Sequence, residues 1–364
     1  MKLLYIVPKL NNEGGVARVL SLKLNYLIEN FGYEVHVLTQ NQGSFPLFYS
    51  FHEKIFFHDM MLEGTIFSFL NSFRKSLKSK VETIQPDVIV VCDNGLKGYI
   101  IPFILSVNIP IIFECHGSKY IEESYLKTNL ISKLTSFLKY KFKDFSANKF
   151  SKVVALSNEG LDEWNVTNGL VISNPSWIKS EKVLDLKPKK VIAIARNSYE
   201  KGLDRLLIIW REIVKKHPDW TLDIYGDSVT DLKHTILKLG LESNVILNEP
   251  VKNISEKYLS SSVCIMTSRS EGFPMVLLEA MASGLPCVAY DCPCGPRAII
   301  DEGKNGFLIE DGNVDSFVQK LELLIEDENL RIQMAVNAQE NVKKYDLEST
   351  MQQWKSLFES LVKQ

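Results

Sequence analysis

The chain has 364 residues, more than one ordinary hydrophobic core accommodates, which suits two domains. Hydrophobic residues make up 45% and charged residues 24%, as in an ordinary globular protein. The formal net charge of -2 gives no reason to expect a nucleic-acid partner.

The amino-terminal apolar run, residues 3–7, is too short for a signal peptide and indicates a buried first strand. No apolar run approaches the ~20 residues that cross a bilayer, so we expect a cytoplasmic protein, soluble or peripheral at the cytoplasmic face of the membrane. Cys292 and Cys294 flank a proline without the second ligand pair that a zinc site normally needs. We therefore expect no metal site.

Short β-branched runs alternate with longer helical stretches along the whole chain, which predicts α/β architecture with doubly wound parallel sheets. Apolar stripes at helical spacing, such as residues 203–214, lie between the runs. The predicted strands are Leu3–Val7, Glu34–Thr39, Asp87–Cys92, Ile109–Glu114, Val153–Leu156, Lys190–Ala195, Thr221–Tyr225, Val245–Leu247, Val263–Met266, Cys287–Tyr290 and Gly306–Ile309.

The alternation restarts near Lys190 after a polar stretch, residues 177–188, which we interpret as a linker. The sequence thus predicts two Rossmann-like domains, residues 1–176 and residues 177–345. The last helix, residues 346–364, is expected to cross back to the first domain. In such folds ligands bind beyond the carboxyl ends of the strands, here in a cleft between two facing domains.

The most informative segment is residues 268–286, which follows a predicted strand and contains Glu271 and, eight residues later, Glu279. Glycine and proline between them predict a tight turn and a helix start, whose free N–H groups favour an anion such as phosphate. The two carboxylates suit hydrogen bonds from sugar and ribose hydroxyls. The predicted substrate-binding residues here are Gly272, Phe273, Pro274, Met275, Val276 and Glu279.

A second segment places Arg196 and Lys201 after a strand and before an apolar helix. Two cations at this position would neutralise a leaving diphosphate, Arg196 through its planar fork and Lys201 as a point charge. A solvated turn is the alternative explanation for this segment by itself.

Both segments resemble retaining glycosyltransferases of the GT-B fold, glycosyltransferase family 4 (glycosyl transferases group 1). The resemblance rests on Glu-x7-Glu at Glu271 and Glu279, the string through Gly284-Leu285-Pro286, and Arg-x4-Lys-Gly at Arg196 and Lys201. It implies that Glu271 lies near the transferred sugar and that Glu279 holds the ribose of the nucleotide. The resemblance is close over residues 196–308 and loose in the first half of the chain. This difference is expected if members of the family share a type of donor and differ in their acceptors.

Two features of the first half fit the same family. Gly14 and Gly15 stand in the first loop, where the family has a Gly-Gly turn near the donor phosphate and the acceptor. His116 ends a predicted strand beside a glycine, and in the family the equivalent histidine approaches the donor sugar. The predicted catalytic residues are therefore Glu271, Arg196, Lys201 and His116.

The resemblance implies transfer of a hexose or N-acetylhexosamine from a nucleotide diphosphate sugar, by family habit a UDP-sugar, to a glycan or lipid-linked acceptor in bacterial surface polysaccharide biosynthesis. Since the chain contains no Asp-x-Asp motif, we expect no metal or other cofactor. A nucleotide-sugar epimerase of the same fold and a non-catalytic binding protein are the alternatives. A Rossmann oxidoreductase is disfavoured because the dinucleotide-binding Gly-x-Gly-x-x-Gly is missing.

Residues 127–149 form a basic amphipathic stretch with six lysines and a single acidic residue, Asp144. Such a stretch suits an anionic membrane surface and a lipid-linked acceptor, but it also suits a solvated helix face. The sequence leaves these two interpretations equal.

Overall fold

The computed structural model describes residues 1–105, 108–120, 130–178 and 186–363. The chain divides into two compact units. The first unit comprises Met1–Asn174 and Glu348–Gln364, and the second comprises Pro175–Leu347. The last helix thus belongs to the first unit, as the sequence predicted.

Both units are built from strands that alternate with helices. The strands are β1 Lys2–Ile6, β2 Glu34–Gln40, β3 Phe56–Met60, β4 Val88–Val91, β5 Ile111–Glu114, β6 Lys152–Ala155, β7 Gly169–Val171, β8 Lys190–Ile194, β9 Thr221–Tyr225, β10 Val245–Asn248, β11 Val263–Met266, β12 Cys287–Tyr290 and β13 Gly306–Ile309. The helices are α1 Gly15–Phe31, α2 Ile66–Ile84, α3 Leu96–Ile104, α4 Leu130–Ala147, α5 Asn158–Asp162, α6 Leu203–Lys216, α7 Lys233–Leu239, α8 Ser255–Leu259, α9 Met275–Ala282, α10 Pro296–Ile299, α11 Val314–Glu326, α12 Glu328–Val342 and α13 Leu347–Val362.

The sheet of the first unit has the order β3-β2-β1-β4-β5-β6-β7 in the described residues, and every neighbouring pair is parallel. The strand order reverses between β1 and β4, so that Tyr5 lies opposite Val37 on one side and Val90 on the other. We call this position the switch point of the unit. Loops after its two strands leave the carboxyl edge on opposite faces, which makes it the usual ligand position.

The second unit has a six-stranded parallel sheet of order β10-β9-β8-β11-β12-β13 across the residues described. Its switch point lies between β8 and β11. The two Rossmann-like α/β units predicted from the sequence are therefore confirmed.

Continuous apolar strands and one-sided helices account for the core of each unit. The strand β4 reads Val-Ile-Val-Val and all four residues are buried, as expected for a strand covered on both faces. In the second unit α6 turns its apolar stripe inward, and Trp210 on this stripe is fully buried. Burial of an aromatic side chain of this size stabilises the unit by about 3 kcal/mol.

Two strands were not among the predicted ones. The edge strand β3 carries two exposed phenylalanines, Phe56 and Phe57, so its pattern lacks the buried alternation that identifies a strand. The other, β7, has three residues and no fully buried side chain. Neither strand forms without the parallel neighbour to which it is paired.

Parts of three predicted segments lie outside the described residues. These parts are residues 179–185 of the expected linker, residues 127–129 of the basic stretch and residue 364 of the last helix. Among the helices of the described residues, none combines the length and the apolarity that a membrane crossing requires.

Candidate functional site

The second unit gathers its predicted chemistry at its switch point. The loop after β8 carries Arg196 and Lys201, and the loop after the neighbouring strand β11 carries Glu271. Arg196 and Glu271, which are 75 positions apart in the sequence, therefore lie at the same edge of the sheet.

Lys201 and Glu271 form an ion pair, with 2.7 Å between Lys201 Nζ and Glu271 Oε1. The lysine side chain is 26% exposed and the carboxylate 10% exposed, so the pair is largely shielded yet open to a ligand. The turn behind the lysine is fixed by Thr267, whose hydroxyl donates to the carbonyl of Gly202 at 2.9 Å. The structure thus brings together the predicted sugar-facing carboxylate and a predicted diphosphate-binding cation.

Arg196 lies in the same loop with its guanidinium exposed. It pairs with Glu200 at 2.6 Å, an i,i+4 contact. Exposed pairs of this kind are worth little, typically ~0.5 kcal/mol, so an anionic ligand can recruit this guanidinium at small cost.

The segment after Glu271 starts a helix, as predicted. Pro274 is the N-cap residue of α9, and Met275 and Val276 are its first residues. The ring of Phe273 is buried, 5.5 Å from the ring of Tyr345. At Gly272 and Phe273 the backbone, and not a side chain, is therefore the group available to a ligand.

Glu279 is almost fully buried on α9, and side chains of two described residues donate to its carboxylate. Trp177 Nε1 donates to Oε1 at 2.7 Å, and the Tyr258 hydroxyl donates to Oε2 at 3.1 Å. Burial and the charge of Glu279 raise the pKa of Tyr258, which keeps it a neutral donor. A carboxylate oxygen has two lone pairs, so it can accept more than one hydrogen bond.

Neither Trp177 nor Tyr258 is predicted from the sequence as a partner of Glu279. Tyr258 lies on the short helix α8, whose five residues are too few for a periodic signal. Trp177 stands in the stretch that was interpreted as a linker. Its only signal was a large aromatic residue in polar surroundings, which is unusual for a solvated linker.

The first unit holds the remaining predicted residues at its own carboxyl edge. Gly14 is the N-cap residue of α1 in an extended conformation, and Gly15 is the first helical residue. His116 follows β5, next to β4 in the sheet. The loop after it is fastened by Glu163, which accepts from the Ser118 hydroxyl at 2.7 Å and from the Lys119 backbone N–H at 2.6 Å.

One group in the described part of the chain has the donor atoms for a metal ion. Atoms of Cys92, Glu114 and His116 all lie within 4.8 Å of one another. However, Lys23 Nζ lies 2.6 Å from Glu114 Oε1, so an ammonium already neutralises this carboxylate. Burial also raises the pKa of the Cys92 thiol, which disfavours the thiolate that a metal requires. These residues do not fit a resident metal.

The two cysteines of the Cys-x-Cys motif are buried thiols. The loop that they form packs on the segment after Glu271, since the Glu271 backbone N–H donates to the Pro293 carbonyl at 3.3 Å. Burial and the charge of Glu271 raise the pKa of Cys292 far above that of an ordinary thiol. The neutral thiol packs as a small apolar group.

Comparison with known proteins agrees with this geometry. Residues 176–341, nearly the whole second unit, match the family model for glycosyl transferases group 1. An uncharacterized glycosyltransferase of Haemophilus influenzae is 29% identical, covering 98% of this chain and 99% of the relative. The chain is a glycosyltransferase, and its residues 176–341 resemble the group 1 glycosyl transferases.

Two further comparisons cover the full length of this glycosyltransferase. The amylovoran biosynthesis glycosyltransferase AmsD of Erwinia amylovora is 29% identical, over 98% of this chain and 99% of the relative. The crystal structure of HepE from Anabaena in complex with UDP and glucose superposes with a TM-score of 0.77 at 21% identity, covering 99% of this chain and 100% of that one. At that identity the superposition establishes the GT-B fold alone.

The turn that holds Lys201 can be tested at Gly202. Gly202 has φ +63°, and a Cβ there would collide with the Thr267 carbonyl. Gly240 has φ +69° with open space around it, so it is a matched control. We expect Gly240→Ala to cost about 1–2 kcal/mol from the left-handed backbone, and Gly202→Ala a further ~1–3 kcal/mol from overpacking.

Calorimetric unfolding of the two variants measures this difference. Equal losses of stability would contradict the close approach of Gly202 to the strand end, and with it the fixed position of Lys201.

Proposed function

We propose that this enzyme transfers a hexose or N-acetylhexosamine, with retention of configuration, from a UDP-sugar to a hydroxyl of a glycan or lipid-linked glycan in bacterial surface polysaccharide biosynthesis. The observation that carries the proposal is the Lys201–Glu271 ion pair at the switch point of the second unit. It pairs a cation for a diphosphate with a carboxylate for sugar hydroxyls at the edge where such sheets bind ligands.

The nucleotide and the diphosphate of the donor are proposed to bind to the second unit. Arg196 and Lys201 would take the two phosphates, together with N–H groups at the start of α9. Glu279, which Trp177 and Tyr258 hold in place by donating to its carboxylate, would accept from the ribose hydroxyls. The UDP bound to the similarly folded HepE, and the role of AmsD in amylovoran biosynthesis, support a nucleotide-sugar donor and a surface glycan product.

In the proposed reaction the oxygen of the acceptor hydroxyl attacks the anomeric carbon. It attacks from the same face of the sugar as the departing diphosphate. The bond between that carbon and the phosphate oxygen breaks, and this oxygen takes the acceptor proton, which balances the step. Positive charge grows on the sugar and negative charge on the phosphate. The cations Arg196 and Lys201 are already in place before the reaction and stabilise the negative charge of the leaving group. Glu271 faces the positive charge on the sugar.

The donor site is tested by Glu279→Gln, which removes the charge but keeps an oxygen and the side-chain volume. We expect the rise in melting temperature caused by UDP to shrink in this variant, since ribose hydroxyls donate less strongly to an amide than to a carboxylate. Thermal unfolding with and without UDP measures it. Glu256→Gln, which changes an exposed glutamate of α8, is the control and should respond as the unchanged enzyme does. An unaltered UDP response in Glu279→Gln would place the ribose elsewhere.

The chemistry is proposed to proceed without a metal ion, with Arg196 and Lys201 taking the electrostatic role. We expect full transfer in EDTA and a loss of about a hundredfold in kcat for Lys201→Met, the order found when one stabilising donor of a transition state is removed. Radiolabelled sugar transfer to acceptor measures both. Activity that returns only on adding Mg²⁺ or Mn²⁺ would overturn metal independence. Release of an altered sugar nucleotide without acceptor would indicate an epimerase instead.

A membrane surface is proposed as the place of the acceptor because α4 is built with its apolar side outward. Leu134, Phe137, Leu138 and Phe145 are each more than half exposed and follow helical spacing; we call these four side chains the α4 outer face. Polar Ser136 and Ser146 are buried on the opposite side. A helix that only completed a core would not expose four large apolar side chains.

Charge on this helix matches an anionic surface. Lys141 lies over the ring of Phe137, and Lys149 over the ring of Phe145, so cations border the α4 outer face. The one acidic residue of the stretch, Asp144, is neutralised by Lys119 at 2.6 Å. Exposed apolar side chains bordered by lysines fit the interface of an anionic bilayer, where a lipid-linked acceptor would be held.

Flotation with lipid vesicles tests this surface. We expect the protein to float with vesicles that contain anionic lipid, and binding to fall about tenfold for Phe137→Ser/Leu138→Ser, because two apolar side chains leave the interface. Leu237→Ser, which changes a leucine of equal exposure on α7, is the control and should float normally. Equal flotation of both variants, or none by the unchanged protein, would refute a lipid-facing role for α4.

A further inference from the structure

The first unit contains an ion pair buried far more deeply than the one at the donor site. Lys23 on α1 and Glu114 at the end of β5 lie 2.6 Å apart, and both side chains are only 1% exposed. Burial opposes the charged form of Glu114, yet the nearby Lys23 charge holds the pKa of this carboxyl below its usual value. Removing two charges from water is costly, and packed apolar residues usually serve stability as well or better.

The last helix covers this ion pair. Lys23 Nζ lies 3.6 Å from the ring centroid of Trp354 on α13, a close cation–π contact. The indole is itself 1% exposed. Trp354 therefore closes the side of the ammonium that Glu114 does not occupy, and the lysine has little freedom to reorient.

The same carboxylate faces His116. Nε2 of His116 lies 3.5 Å from Glu114 Oε1, and this buried nitrogen has no hydrogen-bond partner within the described part of the chain. Burial, opposed by Glu114 and assisted by the charge of Lys23, lowers the pKa of His116, so the ring is neutral at pH 7. A neutral imidazole carries its proton on one of two nitrogens, and a neighbouring carboxylate selects which.

We propose that Lys23, Glu114 and Trp354 are positioning residues that hold His116 as a single neutral tautomer, protonated at Nε2 and turned towards Glu114. Nδ1 is then a fixed hydrogen-bond acceptor for a sugar hydroxyl. The carboxy-terminal helix thus contributes to the site of the first unit. Its Trp354 holds Lys23, Lys23 holds the Glu114 carboxylate, and this carboxylate orients the imidazole of His116. The effect on transfer rests on the proposed function, whereas the tautomer does not.

Among the described residues, Glu114 and Lys23 are the charged groups that act on His116, and Glu114 is the anion. Cys92, after β4, donates through its thiol to the other oxygen of Glu114 at 3.5 Å. The Tyr5 hydroxyl on β1 is buried without a hydrogen-bond partner in the residues described, and burial raises its pKa. Neither offers a second anion to the ring, so the orientation of His116 depends on this carboxylate.

The first test is the double variant Lys23→Met/Glu114→Gln, which removes both charges at similar volume and leaves no unpaired buried ion. ¹⁵N NMR of histidine-labelled protein, with His116 assigned through His116→Gln, reads the tautomer directly. We expect one Nε2–H tautomer in the unchanged protein and a mixture in the variant. A single Nε2–H tautomer in both would overturn the proposal, whatever the activity.

The second test is transfer kinetics. We expect the double variant to lose about tenfold to a hundredfold in kcat with KM for the donor unchanged, because the group is misplaced and the donor site is intact. The matched control is Lys190→Met/Asp223→Asn, which neutralises a partly buried pair in the second unit and should keep its kcat. An equal loss in both double variants would indicate a general packing effect and contradict the proposal.

Trp354 supplies a test that does not touch the buried charges. Trp354→Phe retains an aromatic face for Lys23 and should behave as the unchanged enzyme, whereas Trp354→Leu should mix the His116 tautomers and lower kcat. This pair decides the matter even where the double variant does not fold. Identical His116 spectra for the two Trp354 variants would show that the last helix only packs. A wild-type protein with one His116 tautomer but no transfer would refute the proposed function and leave the tautomer result standing.

Discussion

In each unit, two parallel strands that lie side by side send their following chains to opposite faces of the sheet. The strands are β1 and β4 in the first unit and β8 and β11 in the second. Because the loops diverge there, the carboxyl edge is left open between them, and polar side chains can gather without disturbing the core. Arg196, Lys201 and Glu271 occupy this position in the second unit. The parallel order of the strands therefore determines where the glycosyltransferase can have its chemistry.

Both edges carry a lysine–glutamate pair, and the two pairs differ in what surrounds them. The Lys201–Glu271 pair keeps contact with water, so its charges can be shared with a ligand without a large change in solvation. The Lys23–Glu114 pair has no such access and is closed by Trp354. An ion pair that no ligand reaches acts through its neighbours, and the neighbour that it faces is His116. The first pair suits binding and the second suits orientation.

The helix α4 makes polar contacts on its inward side and exposes apolar side chains on its outward side. Its inward side contains Lys143, which donates to the backbone carbonyl of Lys119 at 3.0 Å. Burial, with the charges of Lys139 and Lys119, lowers the pKa of this lysine to about 8. The loop after His116 is thereby supported by polar contacts, while the α4 outer face stays more than half exposed. An exposed apolar face of this kind favours an external apolar partner.

The sequence by itself determined the alternation of strands and helices, the two Rossmann-like units and the segments around Glu271 and Lys201, because period and turn chemistry are local properties. It did not reveal the edge strand β3, whose identity depends on pairing with β2. Lys23 interrupts an apolar stripe and Glu114 ends an apolar strand, and charged residues in such positions indicate buried charge. Nothing in the local sequence shows that these two residues, 91 positions apart, form an ion pair. The same holds for Trp177 and Tyr258 on Glu279, and for the outward apolar face of α4. These were decided by tertiary structure alone, because a partner distant in sequence, and the side of a helix that meets the core, are fixed only when the sheets assemble.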